Sequence, residues 1–278
     1  MEGKKKKKNW MLTISVIAVL GFGGAFAYYA YDYFLWWRDG QAAQEQTEVV
    51  RDIFQEQVTD ITDLFTAAVF EHEGYEDGVP ATTISFEAFP LDEIRELTGN
   101  QDVVAYIFIE GTNISNAVLH GPDNHFYLYR DMFRNWNVNG SIFLDYRNSP
   151  SFADPNTIVY GHNMNNGTMF HNLRYYMNRD FLEAHPNIVV IIDNRVLVYE
   201  IFSVFQTRID FDYIQVDFEN REEFGALVSE VMRRSVHDTG IVATAGDRML
   251  ILSTCTNVSE DTRTVVAGRL ARIANIRR

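Results

Sequence analysis

The first long run of apolar residues lies close to the start of the chain. Residues 9–31 hold no formal charge and include the segment MLTISVIAVL at positions 11–20. A helix rises ~1.5 Å per residue, so this run would extend about 34 Å, more than the ~30 Å of a hydrocarbon core. The pattern predicts a transmembrane anchor over residues 9–37.

The residues that flank this run differ in kind. Lysines occupy positions 4–8, and aromatic residues follow at Tyr28, Tyr29, Tyr31, Tyr33, Trp36 and Trp37. Basic residues on the cytoplasmic side and aromatic residues at the far interface are typical of a single-pass anchor. Residues 1–8 are therefore predicted to form a cytoplasmic tail, with the rest of the chain outside. A cleaved signal peptide is the alternative because Ala25-Phe-Ala27 resembles a cleavage site, but either interpretation exports the body.

A second pattern places apolar residues at three- and four-residue steps from about residue 42 to residue 70. They are Val50, Ile53, Phe54, Val58, Ile61, Leu64, Phe65 and Ala68. This spacing predicts one amphipathic helix packed on its own domain. Residues 71–90 contain glycines and prolines and are predicted to form a loop, followed by a short helix at 91–97. Residues 38–101 are thus expected to be an N-terminal helix and linker.

From residue 102 to residue 278 the pattern changes to short apolar runs separated by turn residues. The runs lie at 103–109, 117–119, 141–144, 157–160, 188–192, 196–205, 249–253 and 264–271. Two helical stretches, 169–184 and 222–235, interrupt them. About eight short strands with few helices predict a mainly β domain, either a barrel or a sandwich.

Charge excludes some classes of function. The chain carries a net charge of −14 even though it begins with a run of lysines, so its body is strongly acidic. Nucleic-acid binding requires a basic surface, so no nucleic-acid partner is expected. No zinc-protease, paired-cysteine or phosphate-loop motif is present, so we expect no metal and no cofactor. The acidic positions Asp210, Asp212, Asp217 and Glu219 are interpreted as a solvated loop rather than a calcium site.

The chain has one cysteine, Cys255, so an intramolecular disulfide is impossible. It follows the apolar run 249–254 and precedes a polar stretch, which places it where a core strand meets a loop. Catalytic side chains often lie at such positions, although a buried structural cysteine is an equal alternative on this fact alone.

A nucleophilic thiol needs a base or a cation beside it. His162 follows the apolar run 157–160 and lies at a strand end, whereas the other histidines lie in predicted helices or polar loops. Arg263 begins the next strand after Cys255, so an antiparallel return would bring its guanidinium beside the thiol. By local sequence alone, an ordinary surface arginine would be the simpler interpretation.

At these residues the chain resembles the class B sortases. GSIFLDYRN (140–148), TIVYGHNM (157–164), LSTCT (252–256) and TRTVV (262–266) are similar, in order, to that family's strand before the histidine and its histidine, cysteine and arginine strands. A long helix-bearing insertion after residue 205 and the N-terminal helix are typical of class B. Asp154-Pro155 directly precedes the histidine strand, so it does not resemble the Asp-Pro-aromatic lid of the pilin-polymerising class.

The resemblance implies an eight-stranded sortase β-barrel, mainly β with helices, and a cysteine transpeptidase. Cys255 would attack the threonine carbonyl in a C-terminal sorting motif of a secreted protein, and a cell-wall amine would then take over the acyl group. His162 would protonate the leaving amine, and Arg263 would hydrogen-bond the developing oxyanion.

The resemblance also implies a substrate groove and partners. The matching groove positions are Asn124, Tyr213, Ile214 and Ser253, while Thr256 replaces an acidic residue found in some members. The implied partners are sorting-motif peptides, a peptidoglycan precursor or cell-wall amine, and the membrane. Three alternatives stay open at this point: a non-catalytic barrel that binds such peptides, a pilin-polymerising sortase, and a cysteine hydrolase that releases its product.

Overall fold

The computed structural model describes residues 2–65, 74–85, 90–208, 210–255 and 262–277. They form two compact units, Met1–Ala42 and Ala43–Arg278. The first unit is the N-terminal part of helix α1, and the second holds the rest of that helix and all the strands.

Helix α1 runs without interruption over Glu2–Phe65, where the sequence predicted separate helical segments at 9–37 and 42–70. Residues 66–70 lie outside the described part of the chain. The N-terminal apolar side chains are exposed, for example Leu12, Ile17 and Phe22. By length and composition the span Leu12–Ile53, whose most apolar window has a mean hydropathy of 1.7, could cross a membrane. The helix therefore fits a single-pass anchor.

Within the second unit, the start of its helical segment packs on the strand domain. Ala43 and Val50 are buried on the face that contacts this domain. The side chain of Gln46 donates a hydrogen bond to a carboxylate oxygen of Asp131 at 3.0 Å. Over residues 43–53 the helix thus packs against its own domain, and the later positions of the predicted amphipathic pattern lie outside the part of the chain whose side chains the structure describes.

The remaining elements in the described residues are ten strands and several short helices. The strands are β1 Gly74–Glu76, β2 Val79–Ser85, β3 Val103–Phe108, β4 Ser115–Leu119, β5 Ile142–Leu144, β6 Asn156–Tyr160, β7 Asn187–Ile192, β8 Arg195–Arg208, β9 Met249–Cys255 and β10 Thr262–Arg277. The α-helices are α2 Pro90–Thr98, α3 Arg179–Ala184 and α4 Arg221–Arg234, with 3-10 helices at Tyr127–Tyr129 and His171–Met177.

Eight of these strands close into a barrel, which confirms the predicted fold. Their order is β10-β8-β7-β3-β4-β5-β6-β9, and β9 pairs again with β10. The pairs β4–β5 and β6–β9 are parallel, and the other pairs around the ring are antiparallel. Apolar side chains fill the interior, among them Ile107, Val190, Leu250, Leu252 and Val266. Helix α4, which lies in the predicted long loop, covers a second apolar cluster against β8, β9 and β10.

Two local predictions differ from the structure. Residues 74–85, expected to be loop, form the hairpin β1–β2, and β2 pairs in parallel with the end of β10. Strand β2 is stabilised by hydrogen bonds to β10, and the local sequence pattern gives no sign of this distant partner. The stretch 169–184 is a 3-10 helix followed by α3, because the Asn178 side chain accepts from the Asp180 N–H and starts a new helix.

Candidate active site

The strand register brings the backbones of the three predicted catalytic residues to one end of the barrel. Cys255 and Arg263 are direct partners across the antiparallel pair β9–β10. On the other side of β9, Tyr160 of the parallel strand β6 is the partner of Ser253. His162 and Cys255 each follow these partners by two residues. The expected antiparallel return of Arg263 is therefore confirmed, and His162 leaves β6 at the same barrel end.

The imidazole of His162 is oriented by a backbone carbonyl. Its Nε2 lies 2.7 Å from the carbonyl oxygen of Leu128. A carbonyl can only accept, so Nε2 carries the hydrogen and Nδ1 of the neutral ring is the unprotonated nitrogen. The ring also packs against Tyr129, with ring centres 5.9 Å apart, and Tyr129 stacks on the exposed Trp136. One nitrogen of His162 is thus fixed, and the other can exchange a proton.

Burial lowers the pKa of His162 below its usual value, although its hydrogen bond to the Leu128 carbonyl opposes this shift. Removing an imidazolium from water disfavours the charged form. The resting ring is therefore neutral near pH 7, and it can accept a proton at Nδ1.

A glycine allows the Leu128 carbonyl to occupy its position. Gly140 has a φ of +58°, and a Cβ placed there would lie 2.3 Å from the Leu128 oxygen. The following residue completes the contact, because the Ser141 N–H donates to the Tyr127 carbonyl at 3.0 Å and the Ser141 hydroxyl donates to Arg130 O at 2.8 Å. The chain segment that orients His162 is therefore packed directly against the start of β5.

Arg263 is half-buried on β10, between Cys255 of β9 and Thr207 of β8. One of its guanidinium nitrogens donates to the carbonyl of Thr262 at 3.2 Å. Guanidinium groups carry five donors and keep their charge at any physiological pH. This residue can therefore supply hydrogen bonds to an anionic oxygen at this barrel end.

Two of the predicted groove residues contact each other. The hydroxyls of Tyr213 and Ser253 lie 2.8 Å apart, and both side chains are buried. The side-chain amide of Asn156 donates to the carbonyls of Tyr213 and Gln215, at 3.0 and 2.8 Å. The loop at residues 210–216, which we call the 210–216 loop, is thereby held against β6 and β9.

The other two groove residues are linked through a pair that the sequence analysis did not single out. Asn124 donates from its amide nitrogen to Asp145 at 3.0 Å. The carbonyl of Ile214 accepts from Arg147 at 3.0 Å, and Arg147 is ion-paired with Asp145 at 2.7 Å. All four predicted groove residues therefore have a defined place, in two hydrogen-bonded groups that both include the 210–216 loop.

Metal ligands are not assembled in the part of the chain that the structure describes. Within those ranges, no three His, Cys, Asp or Glu side chains are grouped so that they could hold a metal ion, and this includes the acidic positions 210–219. Thr256, which the sequence analysis noted beside the cysteine, lies outside the described residues.

Comparison with known proteins identifies the family of this chain. The family model described as the sortase domain matches residues 107–271, which include the last two residues of β3, all of β4 to β9 and most of β10. The chain belongs to the sortase family. Sortase B of Listeria monocytogenes is 37% identical over 193 residues, covering 68% of this chain and 78% of the relative. Sortase B of Staphylococcus aureus is 35% identical over 179 residues, covering 63% of this chain and 72% of the relative.

A solved structure supports the same assignment. The Staphylococcus aureus sortase B–substrate complex superimposes with a TM-score of 0.61 at 34% identity, covering 65% of this chain and 84% of that one. The class B resemblance inferred from the motifs is confirmed, and these relatives support a transpeptidase role for this sortase.

Three site features of this sortase were missed by reasoning from residue types. The orienting group of His162 is a backbone carbonyl, which has no signature in the sequence. Asp145 and Arg147 lie in the GSIFLDYRN segment that had been noted only as a strand similar to the family's. The sequence does contain one signal for this pair. Asp145 and Arg147 carry opposite charges directly after a buried strand, and charges beside an apolar core need a partner.

Proposed function

We propose that this sortase is a membrane-anchored cysteine transpeptidase with Cys255, His162 and Arg263 as its catalytic residues. It cleaves a C-terminal sorting motif of secreted proteins after threonine and transfers the acyl group to a cell-wall amine. The observation that carries the proposal is the register that pairs Cys255 with Arg263. The similarity to a sortase B solved as a substrate complex adds support.

In the first step, the thiol of Cys255 gives its proton to Nδ1 of His162, and the thiolate attacks the threonine carbonyl carbon. Electron density moves onto the carbonyl oxygen, to which Arg263 donates hydrogen bonds. The carbon–nitrogen bond then breaks, and Nδ1 of His162 gives its proton to the leaving amine, since an amide nitrogen departs poorly as an anion. The result is a thioester on Cys255 and a neutral imidazole.

In the second step, the amine of the acceptor attacks the thioester carbonyl. His162 takes a proton from the attacking nitrogen at Nδ1, and the thiolate leaves as the new amide forms. The low pKa of His162 suits both steps, because a neutral ring accepts a proton readily and its cation gives the proton up again. The Leu128 carbonyl keeps Nε2 occupied throughout, so that only Nδ1 takes part.

In this proposal the chemistry takes place outside the cell. Residues 1–8 form the cytoplasmic tail, residues 9–37 the membrane anchor, residues 38–101 the N-terminal helix and linker, and residues 102–278 the catalytic barrel. Asn124, Tyr213, Ile214 and Ser253 are assigned to the groove that receives the sorting motif.

Product analysis with a library of threonine-containing sorting-type pentapeptides tests the proposal. We expect cleavage after threonine, a new amide product when an amine is added, and loss of both after thiol alkylation or in Cys255→Ala. A barrel that only binds peptides would leave every peptide intact. A hydrolase would release the same free acid with and without the amine, and either result would overturn the proposal.

A further inference from the structure

Asp145 is a fully buried carboxylate that the proposed mechanism does not use. It follows β5 directly, and its side chain has no exposed surface. It accepts hydrogen bonds from Nε and Nη2 of Arg147 at 2.8 and 2.7 Å, from the Tyr160 hydroxyl at 2.9 Å and from the Asn124 amide at 3.0 Å. Its partners therefore come from three separate segments of the chain.

The balance of these contacts keeps Asp145 ionised. Burial acts to raise its pKa, but the hydrogen bonds from Arg147, Asn124 and Tyr160 outweigh burial, so the pKa lies below the usual value. A buried charge destabilises a fold unless it is paired. An apolar residue at this position could bind none of these partners, so the carboxylate of Asp145 fixes where they lie.

Arg147 extends the group to the 210–216 loop. The Nη2 atom that binds Asp145 also donates to the carbonyl of Ile214 at 3.0 Å. Asn156 binds the carbonyls on either side, those of Tyr213 and Gln215. Three consecutive carbonyls of the loop are thus held by two side chains, and Arg147 holds the central one, which belongs to a groove residue.

We propose that Asp145 and Arg147 are positioning residues that hold Asn124 and Ile214 at a fixed separation and so set the shape of the peptide groove. This inference rests on the proposed function, because it takes Asn124 and Ile214 as groove residues. The pair contacts substrate only through them. Its loss weakens peptide binding more than it slows the chemical steps on a bound peptide.

Substitution of Arg147 tests the proposal. Arg147→Gln loses the charge and the planar donor fork, while Asn156 still holds the two neighbouring carbonyls. Arg147→Lys keeps the charge but presents an ammonium in place of the fork that joins Asp145 to Ile214. With the pentapeptide that the wild-type enzyme cleaves best, measured on Cys255→Ala so that nothing is cleaved, we expect the Kd to rise about tenfold or more in Arg147→Gln, as for loss of a charge-assisted hydrogen bond.

In the active enzyme the same change should raise the KM for the peptide about tenfold. The kcat at saturating peptide should stay within about twofold, since the catalytic residues are untouched. Arg147→Lys should restore less than half of the peptide affinity that Arg147→Gln loses. Amide hydrogen exchange should become faster in the 210–216 loop of Arg147→Gln and stay unchanged in β9, a readout that does not depend on activity.

Arg95 offers a matched control. Its guanidinium also joins a carboxylate, Asp193 at 2.8 Å, to a backbone carbonyl, Val103 O at 2.8 Å. Asp193 precedes β8, whereas Thr207, the β8 partner of Arg263, lies near the opposite end of that strand. We expect Arg95→Gln to lower stability without changing the Kd, the KM or exchange in the 210–216 loop.

Several outcomes would overturn the inference and are separable from failure of the proposed function. An unchanged Kd in Arg147→Gln, an equal rise in Arg95→Gln, or a fall in kcat with an unchanged KM would each do so. If the wild-type protein neither bound nor cleaved any sorting-type peptide, the proposed function would fail. Unchanged amide exchange in the 210–216 loop of Arg147→Gln would in addition reject the positioning role of Asp145 and Arg147.

Discussion

The contact between Gly140 and the Leu128 carbonyl gives a prediction that links the backbone to catalysis. In Gly140→Ala the new methyl group would lie 2.3 Å from Leu128 O and 2.8 Å from Tyr127 O. Carbon–oxygen contacts are normally no shorter than about 3.3 Å, so the carbonyl of Leu128 must move by roughly 1 Å. That carbonyl now accepts from His162 at 2.7 Å, and such a shift would stretch or redirect the bond.

The magnitude follows from two terms. Forcing an L residue to a positive φ costs about 1–2 kcal/mol, and losing a partly buried hydrogen bond costs about 1 kcal/mol more. We therefore expect the free energy of unfolding to fall by about 2–3 kcal/mol, which lowers the Tm by roughly 5–10 °C. A catalytic group misplaced by about 1 Å can lose a factor of 10² in rate, so kcat should fall by about that factor.

Gly240→Ala is the matched control. Gly240 also has a positive φ, +71°, but an added Cβ would meet nothing within 4 Å. The free energy of unfolding of Gly240→Ala should fall only by the cost of the positive φ, about 1–2 kcal/mol, and turnover should stay unchanged. Thermal unfolding and peptide-cleavage kinetics of both variants provide the comparison. Equal Tm shifts together with equal, near wild-type turnover in both variants would refute the role of the Leu128 carbonyl.

Three further predictions concern the proposed catalytic residues and the proposed anchor. Arg263→Lys should lower turnover about 10²–10³-fold, the range for loss of one oxyanion donor, and near wild-type kinetics would show that charge alone suffices. The pKa of His162 in the folded protein lies below its usual 6.5, so on acidification the unfolded state binds the proton first. The free energy of unfolding should therefore fall more steeply below pH 6.5 in wild type than in His162→Asn. Equal slopes of the free energy of unfolding against pH in the two proteins would contradict this. A fragment that begins at Arg38 should be soluble and as active on peptides as the full chain, and a folded but inert fragment would argue against a purely anchoring role for residues 1–37.

The eight barrel strands could be predicted because each one carries its own pattern of apolar residues and turns. Local patterns contain no information on pairing between distant segments, and for that reason the β1–β2 hairpin was predicted as a loop. Its parallel partner is the end of β10, almost two hundred residues away. Helix α1 continues through residues 38–41, although Gly40 has a low helix propensity and the apolar pattern changes there.

The candidate catalytic residues were predicted from the resemblance to the class B sortases, because local sequence alone left a structural cysteine and a surface arginine as alternatives. The strand order then showed where their backbones meet. The groups that orient them were not predictable in the same way. The Leu128 carbonyl is a backbone atom, and any residue at position 128 could supply it. The bond from Arg147 to Ile214 spans 67 positions, so only the folded barrel reveals it.

The mass of the intact protein, measured after incubation with a cleavable peptide and no acceptor amine, shows whether Cys255 carries the acyl group. We expect a covalent adduct that is heavier by the acylating fragment, is labile to hydroxylamine and is located on Cys255 by digestion. Cys255→Ala should form no adduct and cleave no peptide while keeping its fold, since a strand-end thiol contributes little packing. An adduct on any other residue, or full activity in Cys255→Ala, would contradict the transpeptidase mechanism.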